Sequence, residues 1–173
     1  MAISLYDLTV ASYQQTLGAI AGVLEKGAAH CAAAGTDPDA LVGERLIGDM
    51  LPFAFQIWSV RHHSKGAIEG CKAGQFGPPP AMPEMTYADL QNVVADAREA
   101  LGKLTPDLVN ALEGKDVVFA IGDFKVPFTA ENFLMSFSLP NFYFHATTTY
   151  DLLRSRGVKL GKRDFMGKMR SNA

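Results

Sequence analysis

The stretch that most constrains the fold of this chain is residues 129–156, TAENFLMSFSLPNFYFHATTTYDLLRSR. It is largely apolar and long enough to cross a small domain as a helix. At 100° per residue, one narrow stripe of this helix is apolar at both ends and polar in the middle. The stripe consists of Leu134, Phe137, Asn141, His145, Thr148 and Leu152. Because a buried helix does not turn Asn and His inward without partners, we expect Asn141 and His145 to lie near the functional centre.

Three further segments have the periodicity of amphipathic or buried helices. The first covers residues 4–33, opens on a capping box at Ser4 and ends before a glycine. The second runs from Glu44 to about Gly70 and is apolar almost all round, with Pro52 bending it or marking its first turn. The third follows a second capping box and covers residues 86–104. With the last helix, these segments predict four long helices.

The remaining segments predict connections and one small element of β structure. Residues 72–85 contain four prolines and two glycines, which favours a long crossover loop between distant helices. Two β-rich runs within residues 117–128 flank Gly122-Asp123, which predicts a hairpin with a type II′ turn. Pro127 predicts that its strand lies at an edge. The tail, residues 155–173, is basic and is interpreted either as a solvated segment or as a subunit contact.

Length and charge limit the classes of protein to which the chain can belong. Its 173 residues predict a single domain, residues 1–173, with a sizeable core. The net charge of −2 gives no basic footprint for nucleic acid. No apolar run approaches a membrane span and no signal peptide is recognisable, so we expect no membrane partner. Cys31 and Cys71 lack metal-binding spacing, which favours free thiols in a cytoplasmic protein.

The helices, the crossover and the hairpin together predict an all-α fold, a four-helix bundle with a small insertion before the last helix. Several segments then resemble the DinB/YfiT-like superfamily of helical bundles, and more closely an uncharacterised family within it. These segments are residues 140–145 (PNFYFH), 147–150 (TTTY), 152–157 (LLRSRG) and 160–165 (LGKRDF), together with Asp49-Met-Leu-Pro-Phe53 and Gln56. The resemblance covers nearly the whole chain.

The resemblance implies, for many relatives, a divalent metal such as zinc or nickel held by three histidines. Two of these belong to an H-x-x-x-H pair on the last helix, and one comes from the second helix. His145 matches the second position of the pair, but Asn141 stands at the first. On the second helix, Gln56 or Asp49 is nearest to the family position. One His with amide side chains makes a poor zinc site, because zinc favours His, Cys and carboxylate donors.

The candidate residues each have a functional and a structural interpretation. Asn141 and His145 form either a ligand-binding or catalytic pair, or a core polar cluster with Gln56. Asp49 either orients an imidazole or interacts with a helix dipole. His63 shares the stripe of Asp49 and Gln56 and is a ligand candidate or a structural residue. Its neighbour His62 is expected to face solvent, since adjacent helical residues point about 100° apart.

The leading hypothesis is a protein that binds a small polar ligand between the second and last helices, with a metal as a further option at the same place. The proposed ligand-binding residues are Asp49, Gln56, Asn141 and His145, with His145 as the metal candidate. One alternative is a metal- or thiol-cofactor-dependent transferase or isomerase. Another is a non-catalytic dimerising module whose polar centre fixes helix register. The apolar surface of the first two helices predicts a homodimer.

Overall fold

The computed structural model describes residues 3–171 and is mostly helical, with one small sheet. Short 3₁₀ and π-helical segments connect or interrupt the helices. The helices are α1 (Leu5–Leu8), α2 (Val10–Ala34), α3 (Phe53–Arg61), α4 (Ala67–Ala73), α5 (Tyr87–Gly102), α6 (Pro106–Asn110), α7 (Ala130–Phe133), α8 (Leu139–Ser155) and α9 (Lys162–Met166). The strands are β1 (Gln75–Phe76), β2 (Asp116–Ile121) and β3 (Phe124–Thr129).

The core lies between four helical rods. These are α2, the run from α3 through a π-helical segment to α4, the single helix α5, and the run from α7 through a second π-helical segment to α8. The main packed pairs are α3 with α8, α2 with α5, and α3 with α5. Fully buried side chains from all four rods fill the centre: Tyr13, Leu17, Ile20, Phe53, Ile57, Leu90, Leu101, Phe133 and Phe142. The predicted mainly helical architecture is therefore confirmed, although the sheet takes the fold outside a strict all-α class.

Helix ends follow the predicted capping signals at several positions. The Ser4 hydroxyl accepts a hydrogen bond from the backbone N–H of Asp7. Thr86 and Asp89 form the reciprocal capping box that opens α5. The first predicted helix is nevertheless divided at Thr9, whose hydroxyl donates to the carbonyl of Leu5. A side chain that bonds back to its own helix in this way competes with the backbone ladder.

The predicted start of the second helix at Glu44 is wrong, because α3 begins at Phe53 after an irregular segment. The N–H of Phe53 donates to the Glu44 carbonyl at 2.7 Å, and the N–H of Ala54 donates to the Val42 carbonyl at 3.1 Å. These bonds satisfy the first N–H groups of α3, which have no partner within their own helix. Pro52 disfavours helical backbone at the preceding residue, which places the boundary here. Residues 44–52 are consequently a loop.

The predicted hairpin is confirmed and is extended by a strand that the sequence did not predict. Ile121 pairs with Phe124 across a two-residue turn whose Gly122 has φ +55°, as a type II′ turn requires. The strand order is β1-β2-β3, so Pro127 lies in an edge strand as predicted. However, β1 comes from the proline-rich connection and pairs with β2 in parallel, with Gln75 opposite Val118. The open edge of β2 provides the backbone partners that make this short strand possible.

The last predicted helix is interrupted by a π-helical segment, Leu134–Ser138, just before Pro140. A proline inside a helix disrupts the backbone hydrogen bonds of the preceding turn, and here the disruption takes the form of a wider turn. A second π-helical segment, His62–Gly66, joins α3 to α4. The two segments contact each other through Ser138, whose hydroxyl donates to the His63 carbonyl at 2.6 Å.

The C-terminal segment is folded onto the outside of α2. The Lys26 ammonium lies 2.6 Å from the Asp164 carboxylate, and the Gln15 amide donates to the Met166 carbonyl at 2.9 Å. Both cysteines are buried free thiols. Within residues 3–171, no helix has the length and apolar character needed to cross a bilayer.

Candidate functional site

His145 on α8 and Gln56 on α3 meet between the two helices. The Nδ1 atom of His145 lies 2.8 Å from Oε1 of Gln56. The amide nitrogen of Gln56 in turn donates to the Leu51 carbonyl at 2.8 Å. Because Gln56 is buried and its nitrogen is already engaged, its oxygen is the atom turned toward His145. The contact predicted between these two side chains is therefore present in the structure.

This arrangement determines the tautomer of His145. An amide oxygen can only accept a hydrogen bond, so Nδ1 of His145 carries the proton. Nε2 then has a free lone pair and can accept a hydrogen bond. The His145 ring is partly exposed and lies beside two aromatic rings, with centroid distances of 6.1 Å to Phe55 and 5.2 Å to Phe144. A ligand with a hydroxyl, amide or ammonium donor has the chemistry that this nitrogen accepts.

His63 extends the site into the core. Its ring lies 5.8 Å from the His145 ring, centroid to centroid, and the two planes differ by 12°. Phe76 and Phe137 pack against it at 5.7 and 5.8 Å. The side chain is 7% exposed, and its Nδ1 atom has no hydrogen-bond partner among the described residues. His63, one of the predicted ligand candidates, thus lies beside His145, and its buried Nδ1 atom has no hydrogen-bond partner among the described residues.

His62 is buried, so the prediction that it faces solvent is wrong. It is 8% exposed and its Nε2 atom donates to the Gly77 carbonyl at 2.9 Å. Its ring stacks on Phe76 with a centroid distance of 4.3 Å. The connection that carries β1 folds over this part of the helix and covers the imidazole. Because this cover comes from the connection after α4, the periodicity of the helix could not predict the burial of His62.

The environment favours neutral imidazoles at all three histidines. Burial, with a smaller contribution from the neighbouring His62, lowers the pKa of His145 to about 4. Burial also lowers the pKa of His63 to about 3, and the adjacent His62 and His145 act in the same direction. The pKa of His62 is lowered by burial as well, although its bond to the Gly77 carbonyl opposes the shift. At neutral pH the cluster is therefore uncharged.

The structure does not bring Asp49 and Asn141 into the contact between Gln56 and His145. Asp49 lies exposed in the loop that precedes α3, so it shares no helical face with Gln56. Asn141 is partly buried on α8, one turn from His145, but its amide donates to the Phe137 carbonyl of its own helix at 2.7 Å. Of the four predicted ligand-binding residues, only Gln56 and His145 form a direct contact.

Sequence reasoning did not identify the polar network behind the histidines. Ser138 is fully buried and its hydroxyl lies 2.7 Å from the Tyr13 hydroxyl. Because Ser138 donates to the His63 carbonyl, Tyr13 donates to Ser138 and the network runs from α2 to the π-helical segment of His63. Wide π-helical turns occur often at functional sites. Pro140 lies next to one of these turns, whereas the HHSKG stretch that forms the other contains no proline.

The three-histidine metal set implied by the resemblance does not fit these residues. Nε2 of His62 is committed to a backbone carbonyl, and Asn141 stands in place of the first histidine of the pair on the last helix. No group of three or more His, Cys, Asp or Glu side chains within residues 3–171 has an arrangement that would hold a metal ion. The amide of Asn141 replaces a strong donor with a weak one. The residues around His145 therefore do not form the zinc or nickel site that the resemblance implies.

The largest described cavities lie away from His145. One of about 570 Å³ is bordered by Arg154 and residues 157–160. Another of about 520 Å³ lies between α2, α5 and the C-terminal segment. A third of about 370 Å³ is bordered by the N-terminal segment and Met135. None of these three cavities is lined by a histidine of the cluster.

Comparison with known proteins agrees with the fold. Residues 5–166 match the model of a family described as "Domain of unknown function (DUF1993)". The chain is also similar to a crystal structure of a DinB family member protein from Shewanella denitrificans, to which it is 25% identical. That match covers 98% of this chain and 95% of the other, with a TM-score of 0.81. No protein with curated annotation matches the sequence.

Proposed function

Because the chain belongs to the DUF1993 family of DinB-like bundles, we propose that it binds a small polar ligand at His145, between α3 and α8. One observation carries the proposal: the 2.8 Å bond from His145 to Gln56, which leaves a free imidazole nitrogen at a partly exposed position. A donor group of the ligand would bond to this nitrogen. The surrounding Phe55 and Phe144 rings would contact an apolar part of the same molecule.

A second hydrogen bond of Gln56 indicates that the contact with His145 is held in one fixed orientation. Gln56 is held by the Leu51 carbonyl, so the loop before α3 determines the orientation of the amide. The amide determines the tautomer of His145, and the imidazole is thereby oriented before any ligand arrives. Such pre-orientation lowers the entropy lost on binding. Asn141, one turn along α8, is proposed as a secondary contact because its carbonyl oxygen is not used by the bond to Phe137.

A panel of small alcohols, amines and amides, screened by ligand-observed NMR, tests the proposal. We expect a subset of the panel to bind the native protein and to lose binding in His145→Gln. His30→Gln is the matched control, because His30 is a partly exposed histidine at the far end of α2. The control should retain the same hits. Identical hits in native protein and in a folded His145→Gln variant would show that the ligand does not bind at this residue.

A register-fixing role for the polar centre is the competing proposal, and it predicts a different outcome. Truncation of His145 would then leave the Gln56 oxygen unpaired and lower the free energy of unfolding by about 1–3 kcal/mol, with no ligand binding to lose. The homodimer and the cytoplasmic location also remain predictions. Among the large exposed apolar side chains within residues 3–171, none lies on α2, whereas Leu46, Ile47 and Leu51 lie in the segment before α3 that was predicted as part of the second helix.

A further inference from the structure

A basic groove separate from the histidine cluster lies between α2, α5 and the C-terminal segment. Its volume is about 520 Å³. Arg98 of α5 forms one side, Lys168 and Arg170 of the C-terminal segment form the other, and Gln14 and Gly18 of α2 lie between them. The sequence indicated a basic tail without assigning it a function. The fold adds a third cation, from a helix about seventy residues earlier in the chain.

The C-terminal wall of the groove is held in position by several contacts. Gln15 donates to the Met166 carbonyl at 2.9 Å, and the Arg170 guanidinium donates to the Asp7 carbonyl at 3.0 Å. Gly167 has φ +60°, and a Cβ built there would lie 3.0 Å from Cβ of Ala19. This glycine therefore lets the segment turn and lie directly against α2. The opposite wall is tied down by Gln14, whose amide donates to the Arg98 carbonyl at 2.7 Å.

The charges of the groove are not compensated by the residues that line it. No carboxylate is among the lining side chains. The ion pairs found within residues 3–171 involve neither Arg98 nor Lys168, and the two bonds of Arg170 go to a carbonyl and to the hydroxyl of Ser12. Three like charges around one cavity repel one another, and a bound anion would relieve that repulsion.

We propose that this basic groove binds a small phosphate-bearing molecule. Guanidinium groups bind phosphate oxygens in a two-bond geometry, and a lysine adds a mobile point charge. Gly18 has no side chain, and a Cβ built there would be 3.8 Å from the Arg98 guanidinium, so the floor of the groove stays open beside that cation. The bounded volume and the net charge of −2 favour a small molecule over a nucleic acid.

Titration calorimetry of the full chain with inorganic pyrophosphate at low ionic strength tests this inference. We expect saturable binding that weakens with added salt, and a loss of affinity of about tenfold or more in the double variant Arg98→Gln with Lys168→Gln. Lys125→Gln is the matched control, because it removes a positive charge from exposed strand β3. That control should bind pyrophosphate like the native chain, as should His145→Gln, which separates this site from the histidine cluster.

Three outcomes would overturn the inference. The first is an absence of pyrophosphate binding at low ionic strength. The second is equal affinity in the native chain and in the folded double variant. The third is binding to vesicles containing an anionic phospholipid with no binding of free pyrophosphate, which would assign the groove to a membrane surface instead of a small molecule.

Discussion

At the scale of the residue, one hydrogen bond decides what His145 can do. Its Nδ1 proton is directed at Gln56, whose other end is held by the Leu51 carbonyl. The free Nε2 atom is therefore an acceptor, and the low pKa of about 4 that burial imposes keeps it unprotonated at neutral pH. Such an imidazole accepts a hydrogen bond readily but is a weak proton acceptor, which suits binding better than general-base catalysis.

Replacement of Gln56 by glutamate tests this account of His145. A carboxylate next to Nδ1 favours the charged imidazole, so Gln56→Glu should raise the pKa of His145 by about 1–3 pH units. The measurement is an NMR titration of the imidazole Cε1–H signal in native protein and variant. The pKa of His62, whose ring is bonded to the Gly77 carbonyl, should change less. An unchanged pKa at His145 would mean that the contact with residue 56 does not form in solution.

At the scale of the helix, the rods approach closely where small residues permit it. Gly27 of α2 lies between Tyr87 of α5 and Leu153 of α8. The Tyr87 hydroxyl donates to the Leu24 carbonyl at 2.8 Å, so the ring cannot move away without losing that bond. Leu153 is also buried, and a Cβ built at Gly27 would lie 3.2 Å from its Cδ1. This point therefore fixes how α2 packs against two other rods.

A pair of glycine substitutions in α2 tests the importance of this close approach. Gly27→Ala should lower the free energy of unfolding by about 1–3 kcal/mol, because the added methyl group overpacks the junction. Gly22→Ala is the matched control in the same helix, where a Cβ meets no atom within 4 Å. It should raise stability by about 0.5–1 kcal/mol, through the better helix propensity of alanine. Urea denaturation of both variants gives the two values, and equal effects would contradict the packing described.

At the scale of the whole molecule, the bundle encloses a cluster of neutral histidines. The pKa of His63 is lowered to about 3 and that of His145 to about 4, in both cases mainly by burial. In the unfolded chain, histidine titrates near 6.5. Between these limits the unfolded chain binds more protons than the native protein. The stabilisation is therefore fully present above about pH 6.5 and is lost as the pH falls toward about 3.

Denaturation measured between pH 7 and pH 5 should show this loss of stability. Carboxylates such as Asp89 and Glu131, whose pKa values are lowered by hydrogen bonds, titrate below this window and do not contribute to it. The free energy of unfolding should fall with pH in the native protein, and the slope should be smaller in His63→Gln. Native and variant slopes of equal size would show that His63 is not held neutral in the folded state.

The sequence by itself determined the parts of this protein that depend on local chemistry. Capping side chains at Ser4 and Thr86 and the Gly122 turn lie where their patterns predicted, because neighbouring residues supply all the interactions that form them. The facing of Gln56 and His145 was also predictable, since polar residues at matched depth on two apolar helices must satisfy each other. The helical spacing of the apolar residues was enough to predict a mainly helical core.

Only the tertiary structure decided the features that join residues distant in the chain. Backbone bonds donated by Phe53 and Ala54 to the Glu44 and Val42 carbonyls end the loop at Phe53 and leave Asp49 outside the site. Residue Gly77, beside β1, covers His62, and Ser138 connects one π-helical segment to the other. The basic groove likewise needs Arg98 beside the C-terminal segment. In each case the stabilising contacts involve partners that no local sequence pattern specifies. The positions of these residues therefore follow from the packing of the folded chain.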